Sequence, residues 1–171
     1  LKEDEEGGHV VENEEETKTF EVGKDEWKRR YHLVVTAQNR EGLGNLFTLI
    51  KLAYLDGFYR YPRIDFDMLK RFGAGLNVST ACLGGIYSNR IMRGNALKMS
   101  DDQIQQQLMM LSERFVDCVG EDNFYLEIQF NRLKQQHLVN HHLLRHAEKS
   151  GINLIATPDS HYYSPDKWEA R

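Results

Sequence analysis

The chain has 171 residues, of which 40% are hydrophobic and 28% are charged, and its formal net charge is −4. This length suffices for about one domain with a buried core. Two cysteines are too few for a disulfide framework, and no run of about 18 apolar residues could span a bilayer, so we expect a soluble protein of the cytoplasm.

Charge is distributed unevenly along the chain. Residues 1–26 contain eleven acidic and three basic side chains, whereas residues 27–171 carry a net charge of +4. A Glu-rich stretch interrupted by glycines is typical of a solvated segment without a core of its own. We therefore interpret residues 1–30 as an acidic variable segment or insertion, with a short hairpin as the alternative.

From residue 31 onward, short apolar runs alternate with helical periods. Runs rich in β-branched or aromatic residues predict four strands, at residues 32–37, 76–82, 124–130 and 153–159. Helical spacing of apolar residues predicts three helices, at residues 41–57, 101–118 and 134–149. This alternation predicts an α/β fold in which helices connect parallel strands.

Local signals mark the ends of several helices. Ser100 and Gln103 have the spacing of a capping box, and Gly151 follows the third helix, where it can adopt the left-handed conformation that ends a helix. Ser164 and Pro165 have the pattern of the first turn of another helix. We therefore expect the chain to be part of a longer polypeptide.

Two of the predicted strands end in residues that commonly bind metal ions. Cys82 ends one strand, and Asp159 with His161 ends another. Parallel strands collect their carboxyl ends at one edge of a sheet, and side chains two residues apart on an extended segment point to the same side. A thiolate, an imidazole and a carboxylate suit zinc, and manganese less well. Taken singly, Cys82 could instead be a small buried residue and Asp159 a turn cap.

Other candidate groups favour structural interpretations. The third helix carries four histidines, which include pairs four residues apart but lack the acidic partner of a metalloprotease helix. We interpret them as part of a solvated face, and Cys118 as part of the core. These histidines are His137, His141, His142 and His146. The sequence has no nucleophile elbow, phosphate-binding loop or dinucleotide-binding motif.

Several segments, taken in order, resemble the PHP domain at the N-terminus of bacterial replicative DNA polymerase III alpha subunits. One of them, AYLDGFYRYPRID at residues 53–65, is characteristic of the polymerase members and is not shared by the histidinol-phosphatase branch of the superfamily. The others are YHLVVTAQNREGLGNLFTLIKL (31–52), LNVSTACLGG (76–85), RIMRGN (90–95), NFYLEIQ (123–129) and NLIATPDSHYYSPDKWEA (153–170).

The resemblance implies part of a distorted (β/α)7 barrel of the PHP type that lacks its N-terminal strands, with residues 31–171 as the C-terminal portion of the domain. It also implies four metal ligands: His32, Cys82, Asp159 and His161. His32 begins its strand instead of ending it, so the rule of carboxyl ends would not have found it. Glu127 and Asn140 are expected to support the ligands or the fold, and no residue is assigned to nucleic-acid binding.

The function implied by the resemblance is that of a DNA-directed DNA polymerase, a nucleotidyltransferase of DNA replication. Zinc or manganese in a complete PHP site would allow 3′–5′ exonuclease or phosphoesterase chemistry, and magnesium would serve a polymerase site outside this chain. The isolated chain is expected to be inactive, because the other ligands and the polymerase aspartates lie outside it.

The expected partners are DNA, the remaining polymerase domains and other replisome subunits, such as a proofreading subunit or a sliding clamp; no membrane is involved. Two alternatives stay open. One is a non-catalytic structural or subunit-docking module of the polymerase, and the other is a free-standing PHP phosphoesterase.

Overall fold

The computed structural model describes residues 30–161, together with Ser164 and Lys167. The acidic segment is therefore outside the described residues except for Arg30, and so is Pro165. The described strands are β1 (Val34–Ala37), β2 (Leu76–Ser79), β3 (Phe124–Gln129) and β4 (Asn153–Thr157). The described helices are α1 (Arg40–Leu55), α2 (Phe66–Phe72), α3 (Ile86–Ala96), α4 (Asp101–Val119) and α5 (Lys134–Ser150).

The four strands form one mixed sheet in the order β1, β2, β3, β4. Strands β2, β3 and β4 are parallel, as the sequence predicts, but β1 is antiparallel to β2, so the prediction was wrong for this strand. Two helices, α1 and α2, lie between β1 and β2 along the chain, and after α2 the chain is again close to the carboxyl end of β1. The backbone N–H of Gln38, just after β1, accordingly donates to the Gly75 carbonyl, just before β2, at 2.9 Å.

Three of the five helices were predicted, and their ends agree to within two residues. The capping box of Ser100 and Gln103 is present at the start of α4, and Gly151 has the left-handed conformation, with a φ of +77°, at the end of α5. Both predictions are confirmed. Helices α2 and α3 were missed, because α2 has only seven residues and α3 begins without a side-chain cap. None of the described helices is both long and apolar enough to cross a membrane.

The hydrophobic core lies between one face of the sheet and the helices. Phe124 and Leu126 of β3 are fully buried in it, and the Phe115 ring of α4 stacks on that of Phe124 with 4.8 Å between centroids. Side chains alternate along a strand, so Glu127 and Gln129 point to the opposite face. The strand therefore presents apolar groups to the helices and polar groups to the other side of the sheet.

A chain of buried polar groups crosses this core from α3 through α4 to α5. The side-chain nitrogen of Gln105 donates to the backbone carbonyl of His142 at 3.0 Å. The side-chain oxygen of Gln105 lies 3.1 Å from His146 Nδ1, and this oxygen can only accept a hydrogen bond. Nδ1 must therefore carry the hydrogen, and Nε2 accepts from the Ser112 hydroxyl at 2.8 Å. Ser112 in turn lies 2.7 Å from the Tyr87 hydroxyl. The predicted solvated face is thus wrong for His142 and His146, which are buried.

Ser112 and His146 make the same hydrogen bond as the serine and histidine of a hydrolase active site, but their surroundings give them another role. Ser112 is 2% exposed and His146 is 0% exposed, so no substrate can reach them. Burial lowers the pKa of His146 to about 4 and raises the pKa of the Tyr87 hydroxyl. The groups therefore stay neutral near neutral pH and hold three helices together by hydrogen bonds.

We expect His146 to make the fold less stable in acid. Between about pH 6.5 and about pH 4, the unfolded chain binds a proton at this residue that the folded chain does not, so the free energy of unfolding falls as the pH falls. Urea unfolding at about pH 7 and about pH 5 should show a loss roughly 1 to 2 kcal/mol larger in the wild type than in His146→Gln. His141→Gln, at an exposed position of the same helix, should behave as the wild type does. Equal pH dependence in all three proteins would contradict this assignment.

Candidate functional site

A cleft of about 900 Å³ opens beside the segments that follow β2 and β4. Residues from β1, α1 and the segment that leads into α2 complete its walls. Its lining includes all four predicted metal ligands, His32, Cys82, Asp159 and His161, and also Glu127. The sequence prediction thus located residues of one cleft, although they are up to 129 positions apart in the chain.

His32 and Cys82 form the first pair, with 3.3 Å between Nδ1 and Sγ. The antiparallel direction of β1 explains their proximity, because Val34 pairs with Ser79 and the start of β1 therefore lies beside the end of β2. The His32 amide donates to the Gly84 carbonyl at 2.9 Å. A Cβ atom at Gly84 would lie only 2.8 Å from His32 Nδ1, so this glycine leaves the space that the imidazole fills.

Asp159 and His161 form the second pair, with 3.5 Å between Oδ1 and Nε2. The predicted extended segment is not present here, since Asp159 has a φ of +50° and lies beyond the end of β4. The left-handed backbone at Asp159, and not strand alternation, accompanies the approach of the two side chains. Both remain about half exposed, so they are accessible from the cleft.

Left-handed backbone conformations end both strands that lead to the candidate ligands. Ala81 has a φ of +60° directly before Cys82, and Asp159 has a φ of +50°. Such a conformation costs about 1–2 kcal/mol in a residue with a Cβ atom, and aspartate tolerates it better than alanine does. It explains why the strands stop before the predicted ends at Cys82 and Asp159. Residues held in this way by their surroundings are concentrated at functional sites.

The two pairs do not merge into one cluster. Within residues 30–161, no three side chains of the types His, Cys, Asp or Glu are placed to hold one metal ion. The donor types fit zinc, but each pair supplies two donors, and zinc sites usually have three or four protein ligands. A metal ion in this cleft would therefore need both pairs to approach, or further donors from outside the described residues.

Asn140 connects α5 to the end of β3. Its side-chain nitrogen donates to the Gln129 carbonyl at 2.7 Å, and its oxygen accepts from the Gln136 amide at 2.8 Å. These bonds satisfy backbone and side-chain groups where the strand ends, which is a structural task. Sequence spacing could not indicate it, because an asparagine within a helix is most often simply solvated.

Glu127 is 5% exposed and accepts hydrogen bonds from the side chains of Ser79, Thr157 and Gln129. Sequence reasoning missed these three partners. Hydroxyl and amide side chains are ordinary in strands, so no spacing distinguishes them before β2, β3 and β4 are placed side by side.

Aromatic and arginine side chains also line the cleft. The Arg30 guanidinium lies 3.6 Å from the centroid of the Tyr61 ring, and that of Arg63 lies 5.1 Å from the centroid of the Tyr59 ring. Arg60, with a φ of +62°, is at the tip of the tight turn that pairs Tyr59 with Tyr61. The segment 53–65, which carries the family resemblance, therefore contributes to the cleft lining, with Tyr54, Tyr61 and Arg63 among its residues there.

We expect Gly84→Ala to displace the His32 ring from Cys82 without unfolding the chain, because the new Cβ would contact a side chain that can rotate. Long-range proton–nitrogen NMR spectra of the imidazoles should show changed His32 signals and unchanged His161 signals. Gly44→Ala is the control, since a Cβ there meets nothing within 4 Å. Unchanged His32 signals in folded Gly84→Ala would show that the glycine does not shape this pair.

Comparison with known proteins assigns the family. A model of the PHP domain matches residues 9–131. The chain is 38% identical over 141 residues to DNA polymerase III subunit alpha of Aquifex aeolicus, covering 81% of the chain and 11% of that protein. It is 37% identical to the same subunit of Borreliella burgdorferi over 79% of the chain, and 33% identical to that of Helicobacter pylori over 88% of the chain.

The chain spans 11–12% of the length of these three relatives. The family model covers well over half of the chain. The chain belongs to the PHP domain family and is similar to part of the DNA polymerase III alpha subunits.

Proposed function

We propose that this chain is the PHP portion of a replicative DNA polymerase III alpha subunit and serves DNA synthesis as part of that protein. The observation that carries the proposal is the 38% identity to such a subunit over 81% of the chain. DNA, the remaining polymerase domains and other replisome subunits are the proposed partners, in the cytoplasm. The parallel strands β2, β3 and β4, with their helical connections, support the proposal that the sheet is part of a distorted PHP barrel.

We further propose that His32, Cys82, Asp159 and His161 are ligands of zinc or manganese in the complete domain. Their support is that they line one cleft and that their donor types suit these ions. A bound ion would supply a water of lowered pKa and a Lewis acid for phosphodiester hydrolysis, the chemistry of a 3′–5′ exonuclease. The chain itself orients the donors: the Gly84 carbonyl accepts from the backbone N–H of His32, and the left-handed backbone at Asp159 places its carboxylate 3.5 Å from His161.

A non-catalytic structural or docking role is the second candidate. It is favoured by the separation of the donors into two pairs, since no third His, Cys, Asp or Glu joins either pair within the described part of the chain. A domain that retains donors without assembling them could still stabilise the polymerase. No observation favours the free-standing phosphoesterase.

We expect the natural full-length protein to extend a primed DNA template in the presence of magnesium, and the 171-residue chain alone neither to extend DNA nor to degrade it. Primer extension and single-strand exonuclease assays on both proteins would measure this. A full-length protein that cleaves small phosphate esters and extends no primer would refute the polymerase assignment. Exonuclease activity of the short chain that disappears in Asp159→Ala would refute its expected inactivity.

We expect Cys82→Ser to lower the affinity of the full-length protein for zinc by roughly tenfold or more, because serine does not ionise near neutral pH as a metal-bound thiol does. The zinc content by elemental analysis and the melting temperature of the metal-free protein would be compared in the wild type, Cys82→Ser and Cys118→Ser. Cys118→Ser is the matched control, since Cys118 lies away from the cleft lining, contacts the Phe66 carbonyl, and has a pKa raised by burial. Unchanged zinc content in Cys82→Ser, with lower stability, would make Cys82 a core residue.

A further inference from the structure

Glu127 occupies the middle of a hydrogen-bonded bridge from β2 to β4. One carboxylate oxygen accepts from the Ser79 hydroxyl of β2 at 2.5 Å, and the other accepts from the Thr157 hydroxyl of β4 at 2.6 Å. The Gln129 amide donates to the second oxygen at 3.1 Å. The Glu127 side chain, on the inner strand β3, thus contacts both strands that flank β3.

The two anchor points of this bridge lie just ahead of the candidate ligands. Ser79 is three residues before Cys82, and Thr157 is two residues before Asp159. The ladder between β2 and β3 ends at the pair of Ser79 and Tyr125, and beyond it the Glu127 amide donates to the Thr80 hydroxyl at 2.9 Å. The side chains around Glu127 therefore continue the connection between strands where the two ligand segments leave the sheet.

The chemistry of the bridge is not what folding alone requires. The three side chains that donate to this carboxylate are all neutral. Removing a carboxylate from water without a cation costs free energy that a neutral amide acceptor would largely avoid. Groups that orient metal ligands without contacting the metal are commonly carboxylates, and their loss typically weakens metal binding about 10- to 100-fold.

We propose that Glu127 is a positioning residue of the candidate metal site, and that its carboxylate fixes the spacing between the Cys82 segment and the Asp159 segment. This inference rests on the proposed metal site. Glu127 does not itself contact the metal in this role. It acts through Ser79 on one arm and through Thr157 on the other.

The test measures zinc affinity of the metal-free full-length protein by competition with a chromogenic chelator, beside thermal unfolding without metal. Glu127→Gln removes the charge and one acceptor, whereas Thr157→Val keeps the charge and breaks only the link to β4. Both variants should bind zinc roughly 10-fold more weakly or worse, and both should remain folded before zinc is added. Thr36→Val is the control, since it makes the same substitution at an exposed position of the same sheet.

A second comparison tests whether the effect passes through the Asp159 arm. The double variant Thr157→Val with Asp159→Asn should bind zinc no more weakly than Asp159→Asn alone, because the positioned ligand is already lost. Fully additive losses would overturn the positioning role. A loss in Glu127→Gln with none in Thr157→Val would also overturn it, since Glu127 would then not act on the Asp159 segment, and fixing the spacing of the two segments requires both arms.

The remaining outcomes separate this inference from the metal site on which it rests. If Asp159→Asn weakens zinc binding and neither Glu127→Gln nor Thr157→Val does, the site stands and the inference is wrong. If these two variants lose stability but keep their zinc affinity, Glu127 is only structural. A wild type without zinc affinity would refute both proposals. Should Glu127→Gln fail to fold, Thr157→Val decides the question.

Discussion

The directions of the four strands are the constraint on which the cleft depends. The parallel alignment of β2 and β4 with β3 brings the segments after Ser79 and Thr157 to the same edge of the sheet. The reversed direction of β1 brings the start of that strand to this edge as well. His32 can therefore contact Cys82 although one precedes its strand and the other follows its strand. A parallel β1 would have placed His32 at the opposite edge.

Much of the fold could be predicted because the spacing of apolar residues indicates helices and strands. Helices α4 and α5 each bury one regular face, and Ser100 and Gly151 mark helix ends by their own chemistry. Helix α1 was predicted from its apolar spacing as well, although Phe47, Ile50 and Tyr54 on that helix are exposed. The direction of β1 could not be predicted, since it depends on α2, a helix of two turns that is too short for a periodic signal. The left-handed conformations of Ala81 and Asp159 could not be predicted, because neither residue type requires a positive φ.

The four candidate ligands were predicted from the sequence, and they stay a prediction, whereas their arrangement in the cleft was not predicted. Residue type and family resemblance indicated the four donors, whereas their grouping into pairs depends on where each strand stops. The burial of two histidines of α5 was likewise not predicted from the sequence. His142 and His146 share a helical face with Val139 and Leu143, a spacing that does indicate burial, but their polarity favoured a solvated interpretation. Burial was possible because Gln105 and Ser112 on α4 supply hydrogen bonds for the His146 ring.

Two buried polar networks in one small fold allow a comparison of what folding needs with what a site needs. The network of Tyr87, Ser112 and His146 satisfies its hydrogen bonds with neutral groups, and burial holds the histidine neutral. The network beside the cleft uses similar hydroxyl donors but places a carboxylate, that of Glu127, at its centre. Since neutral groups suffice on the core side, the carboxylate on the cleft side is better explained by the chemistry of the cleft than by the demands of packing.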